Sequence, residues 1–337
     1  MRVLFAGSPA IAVPSLHALY ELKEIELVGV LTNPDTAKGR HGKLVPTEVG
    51  EAIQRLLLEK KSPRNAYLRF GADFHGEEGE GFILKPYKLD AAARQQVSSL
   101  KPDILVSFAY GHIFGPKFLS LFPLGGINIH PSLLPKYRGP SPIQAAILNR
   151  DTITGISIQA LAQEMDCGDI FISEQLPLTS KETAGCLTQT IAEKAAQMLI
   201  DVLKQIANGK IHKTPQNHQI ASYCKLISRN DGIINWNESV LEIEAKIRAF
   251  NPWPLCRTIH NGRELIILKA DVYKGNTNNG KPGTVLGTVN EVTENGILIQ
   301  TGDGILIVTE LQYQAKKALF WRDFLNGARD FISSQLQ

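Results

Sequence analysis

The chain has few cysteines, four in 337 residues, and none of them forms a Cys-x-x-Cys pair. Cys167, Cys186, Cys224 and Cys256 are well separated along the sequence. Zinc sites and the disulfide frameworks of small secreted domains both need closely spaced cysteines. We therefore expect no metal site and no disulfide framework, and we interpret Cys167 beside Asp166 as a packing residue. This cysteine usage favours a reducing compartment.

Long hydrophobic runs are also missing. No apolar segment approaches the roughly 18 residues that a membrane-spanning helix requires. The opening residues, MRVLFAGSPA, lack the basic flank and cleavage pattern of a signal peptide. We expect a cytoplasmic protein, a monomer with no membrane partner.

Two common catalytic motifs are absent as well. The first turn, AGSPAIAVP, has no spaced glycines of the kind that bind a dinucleotide or a nucleotide phosphate. Ser132 lies in HPSLLP and not in the Gly-x-Ser-x-Gly turn of a serine nucleophile. The sequence thus argues against NAD or ATP chemistry and against covalent catalysis by serine.

What is present is an alternation of apolar runs with helical patterns, from RVLFAG to DILVSFAY. Such alternation predicts an α/β domain with a doubly wound, mostly parallel, Rossmann-like sheet. After residue 228, short strands with Gly and Asn turns are typical of a small barrel or sandwich, and we predict an OB-like β-barrel. We predict a catalytic domain over residues 1–203 with a loop insertion at about 62–81, a basic linker over 204–228 and a barrel over 229–337.

The net charge of +3 is small, but two stretches contain basic residues and no acidic ones. The first, between Thr36 and Thr47, contains Lys38, Arg40 and Lys43. The second begins at Lys204 and includes Lys210 and Lys213. Either stretch is also typical of a solvated surface loop, so nucleic-acid contact is the alternative interpretation.

The stretch GGINIHPSLLP, from Gly125 to Pro135, alternates apolar and polar residues. Along a strand, Asn128 and His130 would face one side, at the carboxyl end where parallel sheets bind ligands. An amide and an imidazole there can stabilise an oxyanion, although local hydrogen bonding is the commoner role of such a pair. Acyl transfer to an amine also needs a proton acceptor, for which Asp166 in EMDCGDIF is the candidate and Asp169 its competitor.

These motifs resemble the folate-dependent formyltransferase superfamily, which is identified by GINIHPSLLPKYRG and the Asp166 turn. The resemblance implies the formyltransferase fold, with Asn128 and His130 as oxyanion donors and Asp166 as the proton relay. It also implies a site for the cosubstrate 10-formyltetrahydrofolate, shaped by Ser132, Leu133, Leu134 and Pro135. No metal is implied.

Within this superfamily the whole chain is similar to the methionyl-tRNA formyltransferase family, through FAGSPAIAVPSLHAL, TNPDTAKGRHGKLVPTEV and FNPWP. That resemblance implies formylation of the α-amine of methionine on initiator tRNA, for translation initiation. It implies tRNA contacts from the two basic stretches, at Lys38, Arg40, Lys43, Lys210 and Lys213. The family pattern does not require residues 62–81.

Other functions fit parts of the same pattern. A sugar-nucleotide amine formyltransferase can share the Asn-His-Asp site, but the basic stretches favour tRNA. Glycinamide ribonucleotide formyltransferase needs a glycine-rich phosphate loop and only about two-thirds of this length. A non-catalytic folate-binding or RNA-binding protein would have no use for a proton relay.

Overall fold

The computed structural model describes residues 1–38, 42–59, 82–210, 212–275, 280–291 and 294–337. Arg40 and the predicted insertion at 62–81 therefore lie outside the described residues. By internal contacts the chain divides into two compact units. Unit 1 comprises residues 1–138, 155–176 and 188–223, and unit 2 comprises residues 139–154, 177–187 and 224–337.

A seven-stranded sheet forms the centre of the first half of the chain, in the strand order β5-β2-β1-β6-β7-β8-β9. Its strands are β1 (Arg2–Gly7), β2 (Glu26–Leu31), β5 (Ile83–Leu84), β6 (Ile104–Phe108), β7 (Gly126–His130), β8 (Ile153–Ala160) and β9 (Ile170–Pro177). The β5-β2-β1-β6-β7 pairs are parallel, whereas β8 runs antiparallel to β7. The prediction of a mostly parallel sheet is confirmed.

Continuous apolar runs explain why this sheet lies in the interior. Val3, Leu4, Phe5 and Ala6 of β1 have no exposed surface, as expected for a central strand covered on both faces. The α-helices in the described residues are α1 (Val13–Glu21), α2 (Glu48–Glu59), α3 (Ala91–Ser99), α4 (Pro116–Leu119), α5 (Pro142–Leu148), α6 (Ala184–Ala207), α7 (Val240–Ala249) and α8 (Trp321–Gly327). None of the described helices is both long and apolar enough to span a bilayer.

Unit 2 contains a second, antiparallel sheet in the strand order β10-β11-β14-β13-β12, with β15 paired to β14. These strands are β10 (Cys256–His260), β11 (Arg263–Val272), β12 (Val285–Asn290), β13 (Asn295–Gln300), β14 (Ile305–Tyr313) and β15 (Leu319–Phe320). Alternate side chains such as Leu265, Ile267, Ile297 and Ile299 are almost fully buried, so one face of the sheet forms the core. The predicted C-terminal domain of short antiparallel strands is confirmed.

One local prediction differs from the structure. The basic stretch around residue 40 was expected to be a loop, but it begins and ends with short paired strands, β3 (Thr36–Lys38) and β4 (Lys43–Val45).

Candidate active site

Strand β7 places the two predicted polar residues at the carboxyl end of the parallel part of the sheet. Its apolar residues Ile127 and Ile129 are 1% and 2% exposed. Asn128 and His130 alternate with them and therefore project from the opposite face. Ligands bind at the carboxyl ends of strands in open α/β sheets, so the position is suited to a site.

Asp166 meets both of these side chains. The Asn128 amide Nδ2 donates a hydrogen bond of 3.3 Å to Asp166 Oδ1. The Nδ1 atom of His130 lies 3.5 Å from Asp166 Oδ2, and the side chains of His130 and Asp166 are only 5% and 9% exposed. The structure thus brings together the three residues that the sequence predicted as the catalytic group.

The Asp166 turn is held close to strand β8. Asp166 itself has a left-handed backbone, with φ of 56°. A Cβ atom added to Gly168 would lie 1.8 Å from the carbonyl oxygen of Ala160, so the turn needs glycine at this position. The backbone of Asp169, the competing candidate, accepts a hydrogen bond from Ala160 N on the other side of the turn.

The hydrogen bond made by Nε2 determines the tautomer of His130. Its Nε2 lies 2.8 Å from the carbonyl oxygen of Tyr137. Because a carbonyl only accepts, Nε2 carries a proton, and Nδ1 is the nitrogen that gains or loses one. Burial lowers the pKa of His130, and the Asp166 carboxylate and the Tyr137 carbonyl oppose this only in part. At neutral pH, His130 therefore presents an unprotonated Nδ1 towards Asp166.

Three further polar residues, which the sequence did not single out, surround Asp166. The Gln159 amide Nε2 donates to Asp166 Oδ1 at 2.9 Å. The Gln216 amide Nε2 donates to the Asp166 carbonyl oxygen at 2.9 Å, and Arg138 donates to Gln216 Oε1 from two nitrogens. Gln159 is the cross-strand partner of Asn128. The sequence signal for it was a glutamine near the carboxyl end of β8, a strand rich in apolar residues.

Hydrogen bonds to Lys136 and Ser157 stabilise the turn that is predicted to contact the folate. The Ser132 hydroxyl donates to the carbonyl oxygen of Lys136 at 2.5 Å, and its side chain is fully buried. Ser157 accepts from Leu134 N and donates to the Ser132 carbonyl. Leu134 is buried as well, so Leu133 and Pro135 are the two residues of this turn with appreciable exposed surface.

The residues predicted to contact tRNA lie in different segments of unit 1. Lys43 on β4 and Lys210 after α6 are exposed. Lys213 is exposed and places its Nζ 5.3 Å from the centre of the Phe171 ring. The side chain of Lys38 and the whole of Arg40 are outside the described residues.

Part of the predicted linker is integrated into unit 1. Thr214 pairs with Ile170, and Tyr223 pairs with Arg138. Gln216 between them is only 6% exposed. Among the residues described by the structure, no three His, Cys, Asp or Glu side chains are grouped so that they could hold a metal ion.

Comparisons with known proteins agree with this architecture. Residues 1–203 match the formyl transferase family, and residues 226–329 match the formyl transferase C-terminal domain. A methionyl-tRNA formyltransferase from Treponema denticola is 46% identical over 336 residues, covering 98% of each chain.

Two solved structures resemble the fold at low sequence identity. WlaRD, a sugar 3N-formyl transferase crystallised with dTDP and 5-N-formyl-THF, has a TM-score of 0.59 and 20% identity, covering 94% of this chain and 99% of its own. HypX from Aquifex aeolicus, in complex with tetrahydrofolic acid, has a TM-score of 0.60 and 17% identity. The match covers 98% of this chain and 48% of HypX.

Proposed function

Because the chain belongs to the formyl transferase family, we propose that it transfers the formyl group of 10-formyltetrahydrofolate to the α-amine of methionine on initiator tRNA. The contacts that join Asn128, His130 and Asp166 in one largely buried group are the observation that supports this chemistry. The full-length similarity to a methionyl-tRNA formyltransferase carries the choice of acceptor. Such an enzyme acts in translation initiation, and we place it in the cytoplasm.

Asn128 is suited to stabilise the tetrahedral intermediate. Its amide has two N–H groups, of which one donates to Asp166 Oδ1. The other is then a donor for the oxyanion that forms when the amine attacks the formyl carbon. A single donor of this kind typically contributes about 10²–10³ in rate.

His130 and Asp166 form a route for the proton. The reaction makes a bond between the formyl carbon and the methionine nitrogen, breaks the bond to N10 of the folate, and moves one proton from the amine to N10. Asp166 Oδ2 and the unprotonated Nδ1 of His130 are adjacent acceptors for this proton. Once protonated, His130 can donate from Nδ1 to the oxyanion, so we assign it the role of oxyanion donor in this form only.

The cosubstrate and the tRNA are assigned to other residues. For the folate, Leu133 and Pro135 offer contact surface, while Ser132 and Leu134 hold the turn that presents them. For the tRNA, Lys38, Arg40, Lys43, Lys210 and Lys213 supply positive charge that phosphates attract. No metal takes part in the proposed reaction.

Transfer of a labelled formyl group tests the function. The donor is 10-formyltetrahydrofolate, and the acceptors compared are initiator Met-tRNA, free methionine and an amino-sugar nucleotide. We expect label on the tRNA only. Label on the sugar nucleotide alone would favour the sugar-modifying function. The chain shares its fold with a sugar 3N-formyl transferase.

A substitution at Arg40 tests the proposed tRNA contacts. Arginine offers a planar, permanently charged donor to phosphates and base edges. Replacing it with Ala should cost about 1–3 kcal/mol in kcat/KM for Met-tRNA and leave folate binding nearly unchanged. Equal kcat/KM for wild type and Arg40→Ala at every salt concentration would assign these basic residues to solvated surface.

A further inference from the structure

The Asp166 carboxylate is connected to a buried arginine through two glutamines. Arg138 is only 1% exposed. Its Nη2 and Nε donate to Gln216 Oε1 at 2.7 and 3.1 Å. Gln216 Nε2 donates to Gln159 Oε1 at 3.1 Å, and Gln159 Nε2 donates to Asp166 Oδ1 at 2.9 Å.

The orientation of every amide in this chain of hydrogen bonds follows from its first member. A guanidinium group has donors and no acceptor, so the oxygen of Gln216 must face Arg138. The Gln216 NH₂ group must then face inward, where it meets three acceptors: Gln159 Oε1 and the carbonyl oxygens of Asp166 and Gly168. Since Gln159 accepts there, its own NH₂ group must face Asp166.

The same hydrogen-bond network holds Asp166 in place in two ways. Gln216 holds the backbone of the Asp166 turn through the two carbonyl oxygens. Gln159, together with Asn128, directs donors at Oδ1, and Oδ2 is the oxygen on the side of His130 Nδ1. The network therefore selects which carboxylate oxygen faces the histidine.

We propose that Arg138 and Gln216 are positioning residues for formyl transfer, which orient Asp166 so that Oδ2 exchanges the proton with His130. This inference rests on the proposed function. Both act on the aspartate through Gln159 and through the backbone of the Asp166 turn. Small displacements of a catalytic group reduce the rate of the chemical step more than they reduce binding.

Charge and shape variants of Gln216 test the proposal. Gln216→Glu keeps an acceptor for Arg138 but has no N–H for the turn, and Gln216→Met keeps the volume and removes every hydrogen bond. Both should lower kcat about 10- to 100-fold, with KM for Met-tRNA and for folate within about threefold of wild type. Gln219→Glu is the matched control, because Gln219 is exposed in the same segment and gains the same charge.

A double variant separates positioning from general damage. If Gln216 acts through Gln159, Gln159→Met combined with Gln216→Met should be no more than about threefold slower than the slower single variant. Multiplied losses would overturn the route through Gln159. A wild-type kcat in Gln216→Met, a raised KM with unchanged kcat, or the unfolding of both Gln216 variants in thermal melts would overturn the proposal as a whole.

The assay also separates this inference from the proposed function. Wild type and Gln219→Glu must formylate Met-tRNA, and failure of both would reject the proposed acceptor. The variants would then be compared on the amine that the wild type does formylate. A loss of kcat confined to the Gln216 variants would still support the positioning role, and its absence would overturn it.

Discussion

The Nδ1 atom of His130 and the Oδ2 atom of Asp166 lie 3.5 Å apart in a site where both side chains are more than nine-tenths buried. Since Nε2 of the same ring is held by the Tyr137 carbonyl, protonation of His130 occurs on the side that faces the carboxylate. The histidine and the aspartate are thus coupled through a single proton position. This coupling distinguishes the pair from a histidine that only fills space at the end of a strand.

Stability should decrease as the pH falls below about 6.5. Burial lowers the pKa of His130 in the folded protein below its ordinary value of 6.5. In that window the unfolded chain binds a proton that the folded chain does not, so acid favours unfolding. Burial also lowers the pKa of His260 in unit 2, with the same sign.

Urea unfolding of wild type, His130→Gln and His260→Gln at pH 7.5 and 5.5 measures these two contributions. Each variant should lose its own share of the pH dependence and keep the other. An unchanged slope in His130→Gln would show that the pKa of His130 is not lowered in the folded state.

Removing the Asn128 amide should slow the chemical step. Asn128→Ala deletes the donor assigned to the oxyanion, which exists only during the reaction, so kcat should fall about 10²–10³-fold. Folate affinity should stay close to that of wild type, because the ground state makes little use of this donor. Single-turnover rates and folate titration measure the two quantities, and a rate within a few fold of wild type would remove Asn128 from the mechanism.

Gly168 should be required for the position of the Asp166 turn. An alanine Cβ at Gly168 would lie 1.8 Å from the Ala160 carbonyl, which belongs to the backbone of β8. Gly168→Ala should therefore displace the turn and reduce kcat by at least about tenfold. Gly115→Ala is the control, since a Cβ at Gly115 meets nothing within 4 Å. Equal kcat in the two variants would show that the turn tolerates displacement.

The sequence predicted the part of the site that follows from local pattern. The alternation in β7 placed Asn128 and His130 on one face, and a Gly-containing turn identified Asp166 as a candidate. Gln159 required the register of β7 with β8, which pairs it with Asn128. Periodicity in one strand does not determine that register.

Gln216 could not be predicted in the same way. It lies in a segment without strand or helix periodicity. It donates a hydrogen bond to the Asp166 carbonyl oxygen, although the two residues are 50 positions apart in the sequence. Only the path of residues 214–223 across unit 1 brings it there. The fold class, in contrast, followed from long and strongly periodic segments, which tertiary contacts did not override.

The most direct measurement compares two acids in one turn. Asp166 contacts Asn128 and lies beside His130, whereas Asp169 is assigned no role in the proton route. The assay is steady-state formylation of Met-tRNA by the Asp166→Asn and Asp169→Asn variants. The two substitutions change the same chemical group at positions three residues apart. The account predicts a loss in kcat of at least about 10² for Asp166→Asn and a kcat near that of wild type for Asp169→Asn. Strong activity in Asp166→Asn, or a greater loss in Asp169→Asn, would contradict it.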